Sequence, residues 1–539
     1  MDYSAFSYTD PILGNVRFSK LEVKVLENEN LQRLRRIYQN GFLYYVFPGA
    51  FHTRFEHSIG VMYISSRLYE SIHQRFSLGR PDDQEFQEFR LAALLHDIGH
   101  GPFSHISEYL LERFGIKNDD PSYNLKGPHP YHEIETYKKI SSCRENDPDL
   151  YKLLEDLDPE KIARWSIGEH MPDEYDYWIP ELIKSDFDAD RMDYLLRDSY
   201  FTGVAYGAID LPRILNKKTF STCDSGEAPR NKRRLVIDYK SGLGLAESIL
   251  IARGQMYPMV ILHSTGRVAA AMLYRAFDAL HREETSNFGS IINRFMTCGD
   301  VEALRLLKSI PTTEEMAERL LFRKLYKKLP FRYLEWRELH PEVKGVFEHI
   351  SKDPSKLKDW ESSIERKICE EVLNWSEEGK IPPIIVDIPA FKSLDESKAL
   401  VYDEETSSLQ RVLEISDVGR YLRETSINKW SICVYFDPYV KDSQINHRLS
   451  SDNSGIGKKV KAYFTNGEAA DVNYPQLTQG ASCFIPLPIG SESTGSSARS
   501  APASAKCLIL IAAFRSQSWV VPQSGQVHSR SFRVRSAFR

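Results

Sequence analysis

Leu94-Leu95-His96-Asp97-Ile98-Gly99-His100-Gly101-Pro102-Phe103-Ser104-His105 is the stretch of this chain whose reading decides its fold. His96 and Asp97 end an apolar run, Phe86 to Leu95, with helical spacing. A neutral imidazole beside a carboxylate offers a borderline and a hard donor to one divalent ion. The chain then turns at Gly99 and at Gly101-Pro102. His100 stands one helical turn after His96, so both face one cleft if the helix continues that far. Four titratable groups, His96, Asp97, His100 and His105, fall within ten residues. A His-Asp dipeptide by itself is more often structural, so its weight depends on what surrounds it.

Two further segments supply that context. Upstream is Phe51-His52-Thr53-Arg54-Phe55-Glu56-His57-Ser58, with an arginine three residues before a histidine. Downstream is Ser185-Asp186-Phe187-Asp188-Ala189-Asp190-Arg191-Met192-Asp193-Tyr194. Asp190, Asp193, Tyr194 and Arg197 are spaced i, i+3, i+4 and i+7, so they share one helix face. Ile183, Phe187, Met192, Leu195 and Leu196 bracket these acids with apolar residues, as expected of a helix packed inside a domain with its acids on a cleft. Eight of the 15 histidines precede residue 133, which places the chemistry in the first part of the chain.

These segments resemble the HD-domain phosphohydrolase superfamily, and within it the deoxynucleoside triphosphate triphosphohydrolases of the sterile-alpha-motif-and-HD-domain type. The similar stretches are Tyr44 to Val61 (YYVFPGAFHTRFEHSIGV), His96 to His105 (HDIGHGPFSH) and Asp188 to Asp198 (DADRMDYLLRD). They occur in the family's order and span roughly residues 15 to 270. The resemblance implies that His57, His96, Asp97 and Asp190 hold one divalent metal ion. It implies that His100, His105 and His132, with Glu108 where the family has Asp, surround the transferred phosphate. It also implies that Arg54, Arg191 and Arg253 hold phosphates, and that Gln39, Tyr194 and Asp198 surround the sugar. Ile261 stands where related enzymes often have Tyr.

The activity implied is hydrolysis of a deoxynucleoside triphosphate to deoxynucleoside and inorganic triphosphate. His105 is the preferred donor to the leaving oxygen, because histidine titrates near neutrality. A His₂Asp₂ set accommodates Mn, Mg, Fe, Zn or Ni. The resemblance further implies a homo-oligomer and a nucleotide activator. Two other readings stay open: another HD phosphohydrolase acting on a nucleoside monophosphate or signalling nucleotide, and a metal-dependent nuclease or nucleic-acid-binding protein. The basic run Arg319 to Lys328 (RLLFRKLYKK) gives the last its support.

The remaining sequence bounds these readings. Charged residues make up 27% of the chain and the net charge is -5, so no global field argues for nucleic acid or membrane. No apolar run approaches the roughly 20 residues of a membrane span. The seven cysteines form no CxxC pair. A reducing compartment and a cytoplasmic location are expected.

The fold class expected is mainly α, a helical HD core with a smaller α+β C-terminal region. Residues 1–285 are assigned to the core, 286–466 to a helical then α+β accessory region, and 467–539 to a disordered Ser/Arg-rich tail. Helices are predicted over Leu31 to Tyr38, Ile59 to Ile72, Phe86 to Leu95, Ile183 to Asp198 and Thr313 to Leu329. Another is predicted from Leu243 to Leu280, bent near Pro258 and Gly266. Asn118 to Pro130 reads as a loop. Arg234 to Tyr239, Ile384 to Ile388, Ala399 to Tyr402 and Ser431 to Phe436 read as strands.

Overall fold

Apolar residues at helical spacing build the centre of the molecule. The computed structural model describes residues 6–75, 82–116, 123–126, 129–216, 219–224, 232–329, 334–375, 382–389, 398–426, 430–440 and 453–470. The helix Arg54–Arg75 packs between the helices Asp83–Leu95 and Ala189–Thr202. Its buried face, including Phe55, Ile59, Met62 and Tyr69, enters the main core. Asp82 caps the second of these helices by accepting from Gln84 N at 3.0 Å. The fold is mainly helical, with small sheets beside a helical core and in a smaller α+β region.

Several predicted elements change their limits. The helix expected over Leu31 to Tyr38 is a helix over Glu29–Arg33 followed by a 3-10 turn over Leu34–Arg36. Ile37 then goes extended, and Tyr38 bridges to Thr53. That bridge sets Gln39 beside His52, whose carbonyl accepts from Gln39 N at 3.0 Å. The helix expected from Ile183 begins only at Ala189. Asp188 stops it there, accepting from Arg191 N and Ser185 N at 2.7 Å each. The helix before His96 ends at Leu95, so the spacing of His96 and His100 is set by a turn.

The long run from Leu243 divides into Tyr239–Met256, a π turn over Tyr257–Ile261 that contains Pro258, and Ser264–Glu283. The basic helix expected over Thr313 to Leu329 spans Pro311–Leu321. Arg323 has φ 54, which ends the helical path, and Lys327–Lys328 pair with Ser431–Phe436 as a short strand.

The strands beyond residue 380 join two different sheets. Ile384–Asp387 pairs antiparallel with Ser431–Phe436, which also receives Lys327–Lys328 and Leu334–Glu335. Leu400–Asp403 instead runs parallel to Arg233–Asp238, in the register Val236 to Leu400, and so extends a sheet that begins with Phe220–Asp224. The N-terminal hairpin of Phe6–Asp10 with Gly14–Phe18 is not among the elements expected from the sequence. Among the described residues no helix is long and apolar enough to cross a membrane. Residues 471–539 of the expected tail, and residues 117–122 and 127–128 around the expected loop, lie outside the described residues.

Candidate metal centre and catalytic cleft

His57 sits near the start of the helix Arg54–Arg75 and faces the helix Ala189–Thr202. Gly60, one turn on, has no room for a side chain, because a Cβ there would overlap Asp193 Oδ1. Asp193 Oδ2 accepts from His57 Nδ1 at 2.8 Å. Arg197 grips both oxygens of Asp193 at 2.8 Å and reaches Asp10 at 2.8 Å. With its proton committed at Nδ1, His57 directs Nε2 to Asp190 Oδ1 at 3.2 Å and Asp97 Oδ2 at 3.8 Å. His96 is arranged the same way: Nδ1 donates to the Ala93 carbonyl at 2.9 Å, and Nε2 lies 3.3 Å from Asp97 Oδ1.

Both Nε2 atoms are buried and without a hydrogen-bond partner. Two oriented imidazole lone pairs aimed at two carboxylates are a donor set that fits a divalent ion. Ligand atoms of His57, His96 and Asp97 lie within 4.8 Å of one another, and Asp190 joins them through His57. Burial opposes the charged form of Asp97, but Arg54, whose Nη1 is 2.6 Å away, holds it well below the usual carboxylate range. Without an ion, burial opposes a charged His57, yet Asp190 and Asp193 raise it to about 9, so a metal would have to displace the proton on Nε2 before that lone pair could bind it.

A second cluster adjoins the first. Nδ1 of His100, His105 and His132 lies 3.1, 3.2 and 2.7 Å from Glu108 Oε1, and that of His105 is hydrogen-bonded to it. The rings of His100 and His132 stack 3.9 Å apart. His100 Nε2 is 3.4 Å from Asp97 Oδ1, so Asp97 belongs to both clusters. Burial, then Arg54 and His132, push His100 down to about 3, so it is neutral near physiological pH. His105 differs, with a side chain 62% exposed to the cleft side.

The turn between the clusters is held from several directions. Gly99 passes so close to the helix Tyr131–Ser141 that a Cβ would overlap the His132 carbonyl and Thr136 N. Thr136 Oγ1 donates to the His96 carbonyl and accepts from Gly99 N, each at 3.0 Å. Phe103 and Ser104 both adopt positive φ, 59 and 62. Such residues cost energy and persist where the surroundings fix them. Here they redirect the chain so that His105 opens the helix His105–Arg113. Ser104 Oγ accepts from Arg54 Nε at 2.7 Å and donates to the Gln39 carbonyl at 2.9 Å.

With this geometry in place, the chain can be set beside known proteins. The description "HD domain" matches residues 54–198, and "HD associated region" matches residues 209–451. An uncharacterized protein of Methanocaldococcus jannaschii is 31% identical over 428 residues, which cover 79% of this chain and 78% of that one. The chain belongs to the HD-domain family.

An HD domain implies a metal-dependent hydrolase, and the His57, His96 and Asp97 group could hold its ion. The deoxynucleoside triphosphate triphosphohydrolase SAMHD1 of Xenopus laevis is 46% identical over 289 residues, 50% of this chain and 44% of that protein. The Bos taurus protein of the same name is 25% identical over 397 residues, 68% of this chain and 64% of that one. The chain thus spans less than two thirds of the length of either. A crystal structure of a hypothetical protein from Aquifex aeolicus matches with TM-score 0.56 and 26% identity, over 84% of this chain and 99% of that chain.

The other predicted residues take a variety of partners. Arg191 pairs with Asp186 at 3.1 Å. Burial raises the Tyr194 hydroxyl to about 12, against the pull of nearby Arg253 and Arg191. Asp198 Oδ1 receives Asn40 Nδ2 at 2.8 Å and His52 Nε2 at 2.7 Å. The Gln39 amide oxygen is buried without a hydrogen-bond partner. Arg54, expected against phosphate, is committed to Asp97 and Ser104. Ile261 ends the π turn and packs on the main core.

Sequence reasoning set Asp193 on the acidic helix face without giving it a role, and it gave none to Lys184 or His52. Asp193 had a signal, its i+3 spacing from Asp190. Lys184 joins Asp190 Oδ2 and Glu133 Oε1, each at 3.2 Å, and a lone lysine before the acidic helix carries no such mark.

Proposed function

We propose that this protein hydrolyses deoxynucleoside triphosphates at the α-phosphorus, yielding a deoxynucleoside and inorganic triphosphate. The observation that carries this reading is Glu108 gathering three imidazoles beside Asp97. A proton-transfer group beside the proposed metal quartet supports cleavage of a phosphate ester. Two relatives whose names state this activity share the HD core at 46% and 25% identity. His57, His96, Asp97 and Asp190 would hold one divalent ion, with Mn, Mg, Fe, Zn and Ni all compatible with the donor set. When bound, it supplies Lewis acidity to a phosphoryl oxygen and acidifies water.

The chain's own residues supply the rest. Arg191 and Arg253 lie near Tyr194, beyond Asp190, and neutralise the phosphate tail. Gln39 and Asp198 offer acceptors for the sugar hydroxyl. Neutral, buried His100 is a poor acid. His105 has Nδ1 anchored on Glu108 and an exposed ring, which leaves Nε2 to protonate the leaving 5′-oxygen. Purified protein given each deoxynucleoside triphosphate, alone and mixed, with Mg²⁺ or Mn²⁺, tests the reading. Triphosphate and deoxynucleoside are the expected products, and mixing reveals any nucleotide activator. Pyrophosphate with nucleoside monophosphate would overturn it.

A further inference from the structure

Asp300 lies about 200 residues beyond the catalytic turn, yet it touches that turn. It opens the helix Asp300–Lys308 and is 1% exposed. Its two oxygens accept from two separate backbone segments. Oδ1 takes the Phe103 amide at 2.6 Å, and Oδ2 takes the Tyr38 amide at 3.0 Å. Each amide neighbours a residue of the cleft. Phe103 precedes Ser104 and His105, in the two-residue positive-φ stretch that aims His105. Tyr38 precedes Gln39, whose carbonyl is tied to Ser104 Oγ.

The same accessory segment grips the turn a second time. Arg33 donates to the Ile98 and His100 carbonyls and also to those of Met296 and Cys298. Gly101 abuts Met296 so closely that a Cβ would overlap its methyl group. The 296–300 turn is therefore the floor on which the 98–104 turn rests.

We propose that Asp300 is a positioning residue for catalysis: it clamps Phe103 and Tyr38 together and thereby sets where His105 and Gln39 point. The metal quartet is held by other contacts, through Asp193, Ala93 and Arg54, and Asp300 does not reach it. Losing the clamp should therefore misplace the proton donor and the sugar contact while leaving metal binding intact. The clamp holds the positive φ of Phe103 and Ser104, since a released turn relaxes toward an unstrained conformation.

The inference rests on the proposed reaction for its kinetic readout. Asp300→Asn keeps the volume but turns an amino group toward one of the two N–H donors. Its kcat should fall by roughly tenfold to a hundredfold, since misplacements of about an ångström cost on that order. Metal stoichiometry should stay at the wild-type value. Leu307→Ala on the same helix, a residue of the hydrophobic core that makes no hydrogen bond to the turn, controls for lost stability. It should lower the thermal midpoint yet keep kcat per folded molecule.

Hydrogen exchange of the intact wild-type protein gives the second measurement. The amides of Tyr38 and Phe103 should be protected, and Asp300→Asn should speed exchange in the 101–108 peptide more than Leu307→Ala does. A wild-type protein that releases no triphosphate would sink the reaction assignment alone, and the clamp would then be judged by exchange. An Asp300→Asn protein with kcat within twofold of wild type would overturn the clamp. So would wild-type Tyr38 and Phe103 amides exchanging as freely as exposed ones, even if the variant failed to fold.

Discussion

Single side chains here act mostly through one another. Asp193 is the clearest case, since it contacts no expected substrate atom but fixes the proton and ring of His57. Partners of this kind typically contribute a factor of about 10 to 100 in metal affinity. Asp193→Asn should therefore weaken metal binding by that factor in a chelator competition, and unchanged affinity would show that His57 orients itself. His129 makes a different prediction. Burial works against its charged form, but Glu133 and Glu169, at 2.8 and 2.9 Å, raise it to about 9. Burial likewise opposes charged Glu133, but Lys184 and then His129 lower it to about 2. The His129 contribution to stability is full below about pH 6.5, the unfolded value, and disappears as pH climbs through about 9. The Glu133 contribution is full above its unfolded value near 4.5 and is lost as pH falls toward 2. Thermal midpoints measured from pH 6.5 to 9 should fall more steeply for wild type than for His129→Gln. Parallel curves would mean that the His129 ion pairs add nothing.

At the scale of elements, the helix pair Arg54–Arg75 and Ala189–Thr202 carries half of the proposed metal ligands, and Gly60 sets how closely the two helices approach. Alanine at 60 gains up to about 1 kcal/mol of helix propensity over glycine. It also drives a methyl into Asp193, and overpacking of this kind costs about 1–3 kcal/mol. The clash outweighs the propensity gain, so Gly60→Ala should lower the thermal midpoint and weaken metal binding together. A midpoint at or above wild type would refute that balance. The existence of these helices was legible in the sequence, because Phe55, Ile59, Met62 and Tyr69 repeat at helical spacing. Their ends were less so. Asp188 reads as one more acid on a helix face until its side chain is seen capping Arg191 N and Ser185 N. The turn after Leu95 hides its positive φ at Phe103 and Ser104, residue types that rarely adopt it. Asp300 could not be read at all, since nothing local marks a carboxylate that accepts amides from segments about 200 and 260 residues away.

Across the whole molecule, residues 1–475 cluster as one unit, and buried charge joins its earlier part to its later part. Arg113 reaches Glu361 at 2.7 Å, and Arg275 meets both oxygens of Glu365 at 3.1 Å through Nε. Glu365 also accepts from Val386 N, and Glu361 from Ile388 N, each at 2.8 Å. These pairs tie the helices His105–Arg113 and Ser264–Glu283 to the helix Pro354–Leu373 and the strand Ile384–Asp387. We propose that the division near residue 285 separates roles rather than folding units, with 1–285 carrying the chemistry and 286–466 supporting it. A buried ion pair adds little net stability over apolar residues of similar size, but removing one partner strands the other charge, at about 3–5 kcal/mol. Glu365→Ala should therefore lower the unfolding free energy by less than that, since Arg275 keeps Asp278 at 3.0 Å and Glu361 at 3.6 Å while Val386 N loses its acceptor. Replacing both partners, in Glu365→Met with Arg275→Met, removes the stranded charge and should recover much of the loss. If the single variant unfolds at the wild-type denaturant midpoint, charge does not hold these parts together and the shared apolar core must do so alone. If the double variant is no better than the single, the cost lies in the lost Val386 hydrogen bond rather than in the arginine.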